Sequence, residues 1–287
     1  MKTRNAALPD FDLPRIVAET FVRRVELRER VASTNDLAVE MSTSENVETP
    51  LLVLAREQTA GRGRGTNQWW SAPGALTFSL LLDAHAHCLP RSAWPRVSLT
   101  AGLAVCEALD SLLPHDRPAL KWPNDVYLRG RKVCGVLVEA TSPAPRQSTH
   151  DSAVPTAPSQ REARQENRLV VGVGLNVNNS LAAAPEPLPS QAIALVDAVG
   201  HPWNLTDVLT RVLGHMDDCW RLLDDEGARL AERWQTFCAL SGHTVQLQAG
   251  PRLHEGLCHG IDAEGALLLE TNRGVQRFFA GVIRSFE

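Results

Sequence analysis

LLVLAREQTAGRGRGTNQWWSAPGALTFSLLL, residues 51–82, carries an apolar run at each end and a loop with three glycines in five residues between them. The two runs are rich in Leu and Val and are bounded by polar or glycine-containing segments, which predicts two buried strands. The loop glycines allow tight turns that bring N–H groups close to an anion, and Arg62 and Arg64 add fork-shaped donors. The alternative is a basic surface loop of the RNA-binding kind, but the chain has no other Gly-Arg stretch of this length. We therefore expect the loop to bind an anionic ligand.

Outside this stretch, apolar runs and helical periodicity predict the remaining elements of an α+β fold. A short strand is expected at 23–31, followed by Ser33, Thr34 and Asn35, whose side chains can cap a helix that begins at Asp36. Thr206 is expected to cap a later amphipathic helix in the same way. The other predicted elements are strands at 132–140 and 169–177 and helices at 97–112 and 227–240.

The sequence pattern changes near residue 240. From there, short runs of alternating apolar and polar residues, separated by turns that contain glycine, predict a small five-stranded barrel. We divide the chain into an N-terminal arm (1–20), a large domain (21–238) and this barrel (239–287). Residues 141–168 contain four prolines and almost no large apolar side chain, so they are predicted to form a disordered insertion.

Composition excludes several classes of function. The chain has 287 residues, 29 basic and 33 acidic, and a net charge of -4, which gives no electrostatic footprint for DNA or an anionic membrane. No apolar run is long enough to span a bilayer, and the first residues lack a secretion signal, so we expect a cytoplasmic protein with reduced cysteines. Lysine is rare: against 26 arginines there are only Lys2, Lys121 and Lys132.

The two internal lysines fall in KWPNDVYLRGRKVCGVLVEA, residues 121–140. Pro-Asn-Asp favours a turn, so this stretch is predicted to form a hairpin that presents Asn124 and Asp125, with Lys132 opening the next strand. A lysine in that place can neutralise a developing negative charge, and Asp125 can accept a hydrogen bond or hold a metal that bridges phosphates. The alternative is an ordinary surface hairpin. The presence of two of the three lysines of the chain in this short stretch argues against it.

Two further features suggest a ligand. Trp69 and Trp70 follow the glycine loop, and because they face opposite sides of an extended segment, one is expected in the core and one free to stack on a flat ring. In VVGVGLNVNN, residues 170–179, alternation places Asn176 and Asn178 on one strand face, where a polar ligand or a neighbouring loop must supply hydrogen-bond partners.

Taken together, Ser33-Thr34-Asn35, QTAGRGRG with WWSAPGALTFSLLL, KWPNDVYLRGRKVCGVLVEA, VVGVGLNVNN and GIDAEGALLLET resemble the successive motifs of the biotin protein ligases. The motifs run in family order from about residue 30 to the end of the chain. The resemblance implies a mixed sheet with helices, similar to class II aminoacyl-tRNA synthetases, followed by a small SH3-like β-barrel.

The resemblance also implies a two-step reaction. Biotin is activated with ATP and Mg²⁺ to biotinyl-5'-AMP, and biotin then passes to a lysine of the biotin carboxyl carrier domain of acetyl-CoA carboxylase or a related carboxylase. The implied catalytic residues are Lys132, Arg62 and Arg64, and Asp125 is the implied Mg²⁺ ligand. The implied biotin-binding residues are Ser33, Thr34, Asn35, Gln58, Arg62, Gly63, Arg64, Lys132 and Gly135. The implied ATP-binding residues are Arg64, Trp69, Asn124, Asp125, Lys132 and Asn176.

Some departures and alternatives accompany this interpretation. Thr66 and Asn67 stand where many members have a glycine and a basic residue. The roughly 20 leading residues are too few for the DNA-binding domain of some members, so repressor activity is not expected. A lipoate or octanoate ligase of the same fold and a non-catalytic biotin-binding module are the alternatives, and homodimer formation through a sheet edge is left open.

Overall fold

The computed structural model describes residues 11–44, 46–84, 89–141, 168–223 and 227–287. The predicted disordered insertion lies outside the described residues except for its two ends, Thr141 and Arg168. These two ends are close, because the backbone N–H of Thr141 donates to the carbonyl oxygen of Arg168 at 3.0 Å. The insertion therefore leaves and re-enters the fold at neighbouring positions of adjacent strands.

A seven-stranded mixed sheet forms the centre of the larger part of the chain, in the order β1-β2-β3-β7-β6-β5-β4. β1 and β2 are parallel, and every other neighbouring pair is antiparallel. The residues of β3 and β7 are almost all buried, which explains why both strands are nearly continuous apolar runs. The strands are β1 Arg24–Val31, β2 Leu51–Gln58, β3 Leu76–Asp83, β4 Ala119–Lys121, β5 Asp125–Leu128, β6 Arg131–Ala140 and β7 Arg168–Leu175.

Helices cover both faces of this sheet. The longest helix buries an apolar stripe that includes Val97, Leu103 and Leu109, and each such side chain stabilises the fold by roughly 1.5–3 kcal/mol on burial. A second small core lies on the opposite face, where Ala38 packs against Leu51. The helices are α1 Leu13–Glu19, α2 Thr34–Met41, α3 Trp94–Leu112, α4 Leu188–Gln191, α5 Leu195–Val199, α6 Leu205–Trp220 and α7 Gly227–Phe237.

The C-terminal part is a five-stranded antiparallel sheet in the order β11-β10-β9-β8-β12. It is joined to the larger part by main-chain contacts, since the N–H of Ala239 donates to the carbonyl oxygen of Leu120 at 2.8 Å. The indole N–H of Trp122 also donates to the carbonyl oxygen of Gly265 at 3.4 Å. The strands are β8 Thr244–Ala249, β9 Arg252–Ile261, β10 Leu267–Thr271, β11 Gly274–Phe278 and β12 Val282–Phe286. The predicted fold class, a mixed sheet with helices followed by a small β-unit, is confirmed.

Both predicted helix caps need correction. Ser33 is the residue that caps α2, and the helix begins at Thr34, so Thr34 and Asn35 form its first turn. α6 is capped by Asn204, whose side-chain oxygen accepts from two helix N–H groups. Thr206 instead accepts a hydrogen bond from the N–H of Asp12, which ties the N-terminal arm to α6. None of the described helices has the length and apolarity needed to cross a membrane.

Candidate functional site

A cleft of about 500 Å³ opens between the larger part of the chain and the C-terminal sheet. Every residue to which the family resemblance gives a catalytic or binding role lines this cleft, although the chain separates them by up to 143 positions. These residues are Ser33, Thr34, Asn35, Gln58, Arg62, Gly63, Arg64, Trp69, Asn124, Asp125, Lys132, Gly135 and Asn176. The cleft also takes residues 281–283 from the C-terminal sheet, which the sequence analysis did not assign to it.

One end of the cleft is lined by uncharged polar side chains that hydrogen-bond to one another. Oε1 of Gln58 accepts hydrogen bonds from the backbone N–H of Thr34 at 2.7 Å and from its hydroxyl at 3.0 Å. The hydroxyl of Ser79 donates to Oδ1 of Asn35 at 2.6 Å, and it lies 2.8 Å from the hydroxyl of Thr34. All four side chains are buried, so their mutual hydrogen bonds hold them in fixed orientations. This end suits a small ligand with matching donors and acceptors.

Gly172 makes this arrangement of α2 against the sheet possible. A Cβ atom at Gly172 would overlap Oδ1 of Asn35, so only a glycine lets the amide lie against the backbone of β7. From the sequence, Gly172 was expected in a strand and was given no role at the site. A sequence pattern that could have revealed its role is the pair of glycines, Gly172 and Gly174, in an otherwise apolar strand.

Arg62 connects the glycine loop to the sheet and to α2. Its guanidinium donates to both carboxylate oxygens of Glu139, at 2.8 and 2.6 Å, and lies 2.7 Å from the carboxylate of Asp36. Burial alone would raise the pKa of Glu139, but the hydrogen bonds from Arg62 and Asn35 hold that pKa below its ordinary value. Glu139 was missed from sequence, where a single carboxylate ends the apolar run GVLV.

Arg64 extends in another direction, towards the C-terminal sheet. Its Nη2 donates to the carbonyl oxygen of Gly281 at 2.8 Å, and its Nη1 donates to Oδ1 of Asn124 at 3.3 Å. Both acceptors are uncharged, so the guanidinium charge is held in place without being neutralised. Gly65, next in the loop, has a positive φ of 64°, which explains the glycine at this turn.

Lys132 and Asp125 form the ion pair at the centre of the cleft, with Nζ to Oδ1 at 2.6 Å. A Cβ atom at Gly135 would lie 3.1 Å from Nζ of Lys132, so glycine leaves the room that the lysine occupies. Among the described residues, no three His, Cys, Asp or Glu side chains converge on one point. One carboxylate suits a Mg²⁺ ion held mostly by phosphate oxygens, in contrast to a metal caged by the protein.

The indole of Trp69 packs against the backbone of β7 at Gly174. A Cβ atom at Gly174 would overlap its indole ring, and its Nε1 is buried without a hydrogen-bond partner among the described residues. Nζ of Lys132 is 6.0 Å from the ring centroid. Trp70 packs against a small cluster that includes Leu181. Both indoles are half-buried and line the cleft, so the expected division into one core and one free indole is wrong.

The two asparagines expected on one strand face are separated in the structure. β7 ends at Leu175, so both residues lie beyond the strand. Asn176 lines the cleft, and its side-chain oxygen accepts from Asn179 at 3.0 Å. Asn178 instead exchanges two hydrogen bonds with the backbone of Trp203, which makes it a structural contact.

Comparison with known proteins agrees with this geometry. Residues 27–152 match the Biotin/lipoate A/B protein ligase family. The chain is 31% identical over 231 residues to the biotin--[acetyl-CoA-carboxylase] ligase of Paracoccus denitrificans, covering 78% of this chain and 85% of that protein. It is 28% identical over 255 residues to the bifunctional ligase/repressor BirA of Bacillus subtilis, covering 88% and 71%.

A solved structure shares the fold. The biotin protein ligase from Aquifex aeolicus in complex with biotin and ATP superposes with a TM-score of 0.71 at 27% identity, covering 92% of this chain and 99% of that one. The motifs, the fold and the overlap with these relatives extend across both parts of the described chain. This chain belongs to the biotin protein ligases of the biotin/lipoate A/B protein ligase family.

Proposed function

We propose that this protein joins biotin to a carrier protein in two steps. In the first step, a carboxylate oxygen of biotin forms a bond to the α-phosphorus of ATP. The bond from that phosphorus to the bridging oxygen breaks, and pyrophosphate leaves with the electron pair. In the second step, a lysine amine of the carrier attacks the acyl carbon of biotinyl-5'-AMP; an amide forms, AMP leaves, and one proton is released.

The observation that supports this proposal most strongly is the distribution of uncharged and positively charged side chains along one cleft. One end, lined by Thr34, Asn35 and Gln58 with Ser79 holding two of them from behind, offers fixed donors and acceptors to a neutral polar ring system such as the biotin head group. Beyond this end the cleft is lined by two cations, Lys132, which is paired with Asp125, and Arg64, which has only uncharged acceptors. A substrate that is neutral at one end and carboxylate at the other fits this order, with its carboxylate delivered to the cations.

The first step requires a carboxylate to approach a phosphate, and the two anions repel each other. The cations of the cleft reduce this repulsion. Fixed positive groups at the junction lower this repulsion and stabilise the charge that develops in the transfer. Lys132 lines the cleft, and Arg64 lies where the cleft meets the C-terminal sheet, so we assign both to the junction. We assign the adenine to the face of Trp69, and the phosphates to Arg64, Asn124, Lys132 and Asn176.

Mg²⁺ is part of this proposal, with Asp125 as its protein ligand. The metal would add positive charge among the phosphates. Asp125 holds Lys132 at 2.6 Å, so one carboxylate would serve both cations, and phosphate oxygens or water would supply the remaining Mg²⁺ ligands.

Retention of the acyl-adenylate depends on the glycine loop, residues 59–68. Arg62 ties this loop to Glu139 and Asp36, and Arg64 ties it to Gly281, so the loop is held at two points over the cleft. A covered cleft excludes water, which would otherwise hydrolyse the adenylate. Gly63 contributes to this cover, since its N–H donates to the carbonyl oxygen of Asn67 at 2.8 Å.

The proposal extends to partners and location. Activation and transfer are assigned to residues 21–238, with 239–287 as the SH3-like domain, and the acceptor is the carrier domain of acetyl-CoA carboxylase or a related carboxylase. The outer edge of β1 is unpaired among the described strands, which leaves it available to a second copy or to the carrier. Five described cysteines are free, which supports a reducing compartment such as the cytoplasm.

The direct test measures pyrophosphate release with ATP and each of biotin, lipoate and octanoate, followed by transfer of labelled biotin to a carrier domain. We expect pyrophosphate release with biotin and ATP, but not with lipoate or octanoate and ATP. We also expect transfer of the labelled biotin to the carrier domain. Release with lipoate or octanoate and none with biotin would replace this function by that of the related ligases. Tight binding of biotin without any pyrophosphate release would identify a non-catalytic binding module.

A further inference from the structure

We infer that Lys121 is a further phosphate-binding residue of the cleft, one that binds the β- and γ-phosphates of ATP and the pyrophosphate that leaves. This inference rests on the proposed function and deepens it. Nothing in the sequence analysis gave Lys121 a role beyond its rarity. The position of Lys121 in the cleft and the carboxylate partners of the neighbouring cations both favour this role.

Lys121 is the last residue of β4, the edge strand of the large sheet, and its side chain lines the cleft. It is paired in register with Asp125 on β5, which is paired in turn with Gly135 on β6. Lys121 and the central ion pair are therefore neighbours across adjacent strands. The residue is half-buried and is one of the residues that line the cleft.

Two of the other three basic side chains that line the cleft already have carboxylate partners. Arg62 has two carboxylates, from Glu139 and Asp36, and Lys132 has the carboxylate of Asp125. Lys121, in contrast, forms no ion pair within 4.0 Å in the part of the chain that the structure describes. Its charge and that of Arg64 are the two in this cleft that no described carboxylate neutralises, and a polyanion entering the cleft would supply that neutralisation.

Two aromatic rings fix the position of the Lys121 ammonium without cancelling its charge. Nζ lies 5.5 Å from the ring centroid of Tyr127 on β5 and 5.7 Å from that of Phe286 on β12. Burial lowers the pKa of Lys121, the charge of Asp125 opposes this shift, and the charge of Lys132 adds to it. An anion that enters the cleft would supply the ion-pair partner that this half-buried ammonium lacks among the described residues.

The order of groups across the sheet selects which phosphates Lys121 meets. The uncharged end of the cleft lies at α2, β3 and β7, Lys132 lies on β6, and Lys121 lies on β4. Neighbouring strands are about 4.8 Å apart, so the backbones of β6 and β4 are about 10 Å apart. With the carboxylate and α-phosphate at Lys132, the polyphosphate extends away from the neutral end, towards Lys121 and the C-terminal sheet.

Kinetics of three variants test this assignment. Lys121→Met removes the charge and keeps an unbranched side chain between the rings, whereas Lys121→Arg keeps the charge. Arg129→Met is the matched control, because Arg129 is an exposed cation on the same hairpin, paired with Asp116. The measurements are the KM for ATP, the KM for biotin, inhibition by pyrophosphate, and the affinity for biotinyl-5'-AMP, which lacks the β- and γ-phosphates.

For Lys121→Met we expect the KM for ATP to rise at least about tenfold and pyrophosphate inhibition to weaken by a similar factor, the effect of losing one hydrogen bond to a charged group. The KM for biotin and the affinity for biotinyl-5'-AMP should change less than about twofold by the same reasoning. Lys121→Arg should recover most of the loss, and Arg129→Met should match the unaltered protein.

Two outcomes overturn the inference: an unchanged KM for ATP in Lys121→Met, or equal weakening of ATP and biotinyl-5'-AMP, which indicates general damage to the cleft. Thermal unfolding identifies a variant that fails to fold, and Lys121→Gln then serves as a second uncharged side chain. If the unaltered protein releases no pyrophosphate with biotin, the proposed function itself fails, which is a separate result.

Discussion

Glu139 holds Arg62 with both of its carboxylate oxygens, at 2.8 and 2.6 Å, and one of these oxygens also accepts a hydrogen bond from Asn35 at 2.8 Å. A single carboxylate on β6 therefore positions the glycine loop through Arg62 and the first turn of α2 through Asn35. The pair is only partly exposed, with 29% of the Glu139 side chain and 39% of the Arg62 side chain accessible to solvent. Bidentate geometry of this kind restricts both partners more than a single contact does.

Replacing Glu139 by Gln should therefore impair biotin binding and retention of the adenylate. The variant keeps the size of the side chain but removes the charge that holds Arg62, so we expect the KM for biotin to rise about tenfold, the effect of losing a charge-assisted hydrogen bond. Release of free biotinyl-5'-AMP into solution should also increase.

Asp116→Asn is the control for this change, because Asp116 forms a similar two-point pair with Arg129 away from the cleft. If Glu139→Gln leaves the KM for biotin and adenylate release as they are in the control, Glu139 does not position these groups.

Gly174→Ala should displace Trp69, because the added methyl group would overlap the indole ring. We expect weaker ATP binding, with a KM for ATP raised about tenfold, since stacking on an aromatic side chain contributes about 1–3 kcal/mol. Gly214→Ala in α6 is the control, where the methyl group meets open space and should stabilise the helix slightly. If the KM for ATP is the same in Gly174→Ala as in the control, the assignment of the adenine to Trp69 is wrong.

Lys132→Ala should lower the rate of adenylate formation by at least about 100-fold, because it removes the fixed cation at the junction of the two anions. Lys132→Arg should rescue little of this loss, since the planar guanidinium is larger than the ammonium that fits beside Gly135. Pyrophosphate release in a single turnover measures the step directly. Full activity of Lys132→Arg would contradict the specific requirement for an ammonium group.

A second carboxylate, far from the cleft, should govern acid stability. Glu107 on α3 accepts two hydrogen bonds from Arg233 on α7, at 2.8 and 2.5 Å, and lies 3.4 Å from His215 on α6. Burial would raise the pKa of Glu107, but His215 and Arg233 outweigh it and hold that pKa below its ordinary value. Its negative charge therefore joins three helices.

Because the folded-state pKa of Glu107 is depressed, this group stabilises the fold above the ordinary glutamate pKa of about 4.3 and loses its contribution as pH falls below that value. Glu107→Gln should lower the free energy of unfolding near neutral pH by about 1–3 kcal/mol. Urea unfolding at several pH values should show this difference shrinking on acidification, with steady-state KM values unchanged. A difference that is constant with pH would mean that the charge is not responsible.

Much of the fold could be predicted from local pattern. The apolar runs of β2, β3 and β7 are visible as sequence, because strands buried on both faces need apolar residues at nearly every position. The strand β6 is only partly buried, and its shorter apolar run VCGVLV still marks it. The loop 59–68 and the 121–140 hairpin stretch were also visible, since glycine, proline and asparagine determine local backbone conformation. The first turn of α2 was misjudged because Thr34 and Asn35, which often cap helices, lie inside this one.

What the sequence by itself determined is which residue types stand at the cleft, because glycines, paired arginines and rare lysines leave a compositional mark. Only the tertiary structure decided how they are paired. Glu139 meets Arg62 across 77 positions of chain, and Gly281 meets Arg64 across 217. Such contacts depend on the order of strands and on the docking of the C-terminal sheet, and they have no local pattern because each partner alone is an ordinary residue. The charges left uncompensated in the cleft, on Arg64 and Lys121, follow from those pairings.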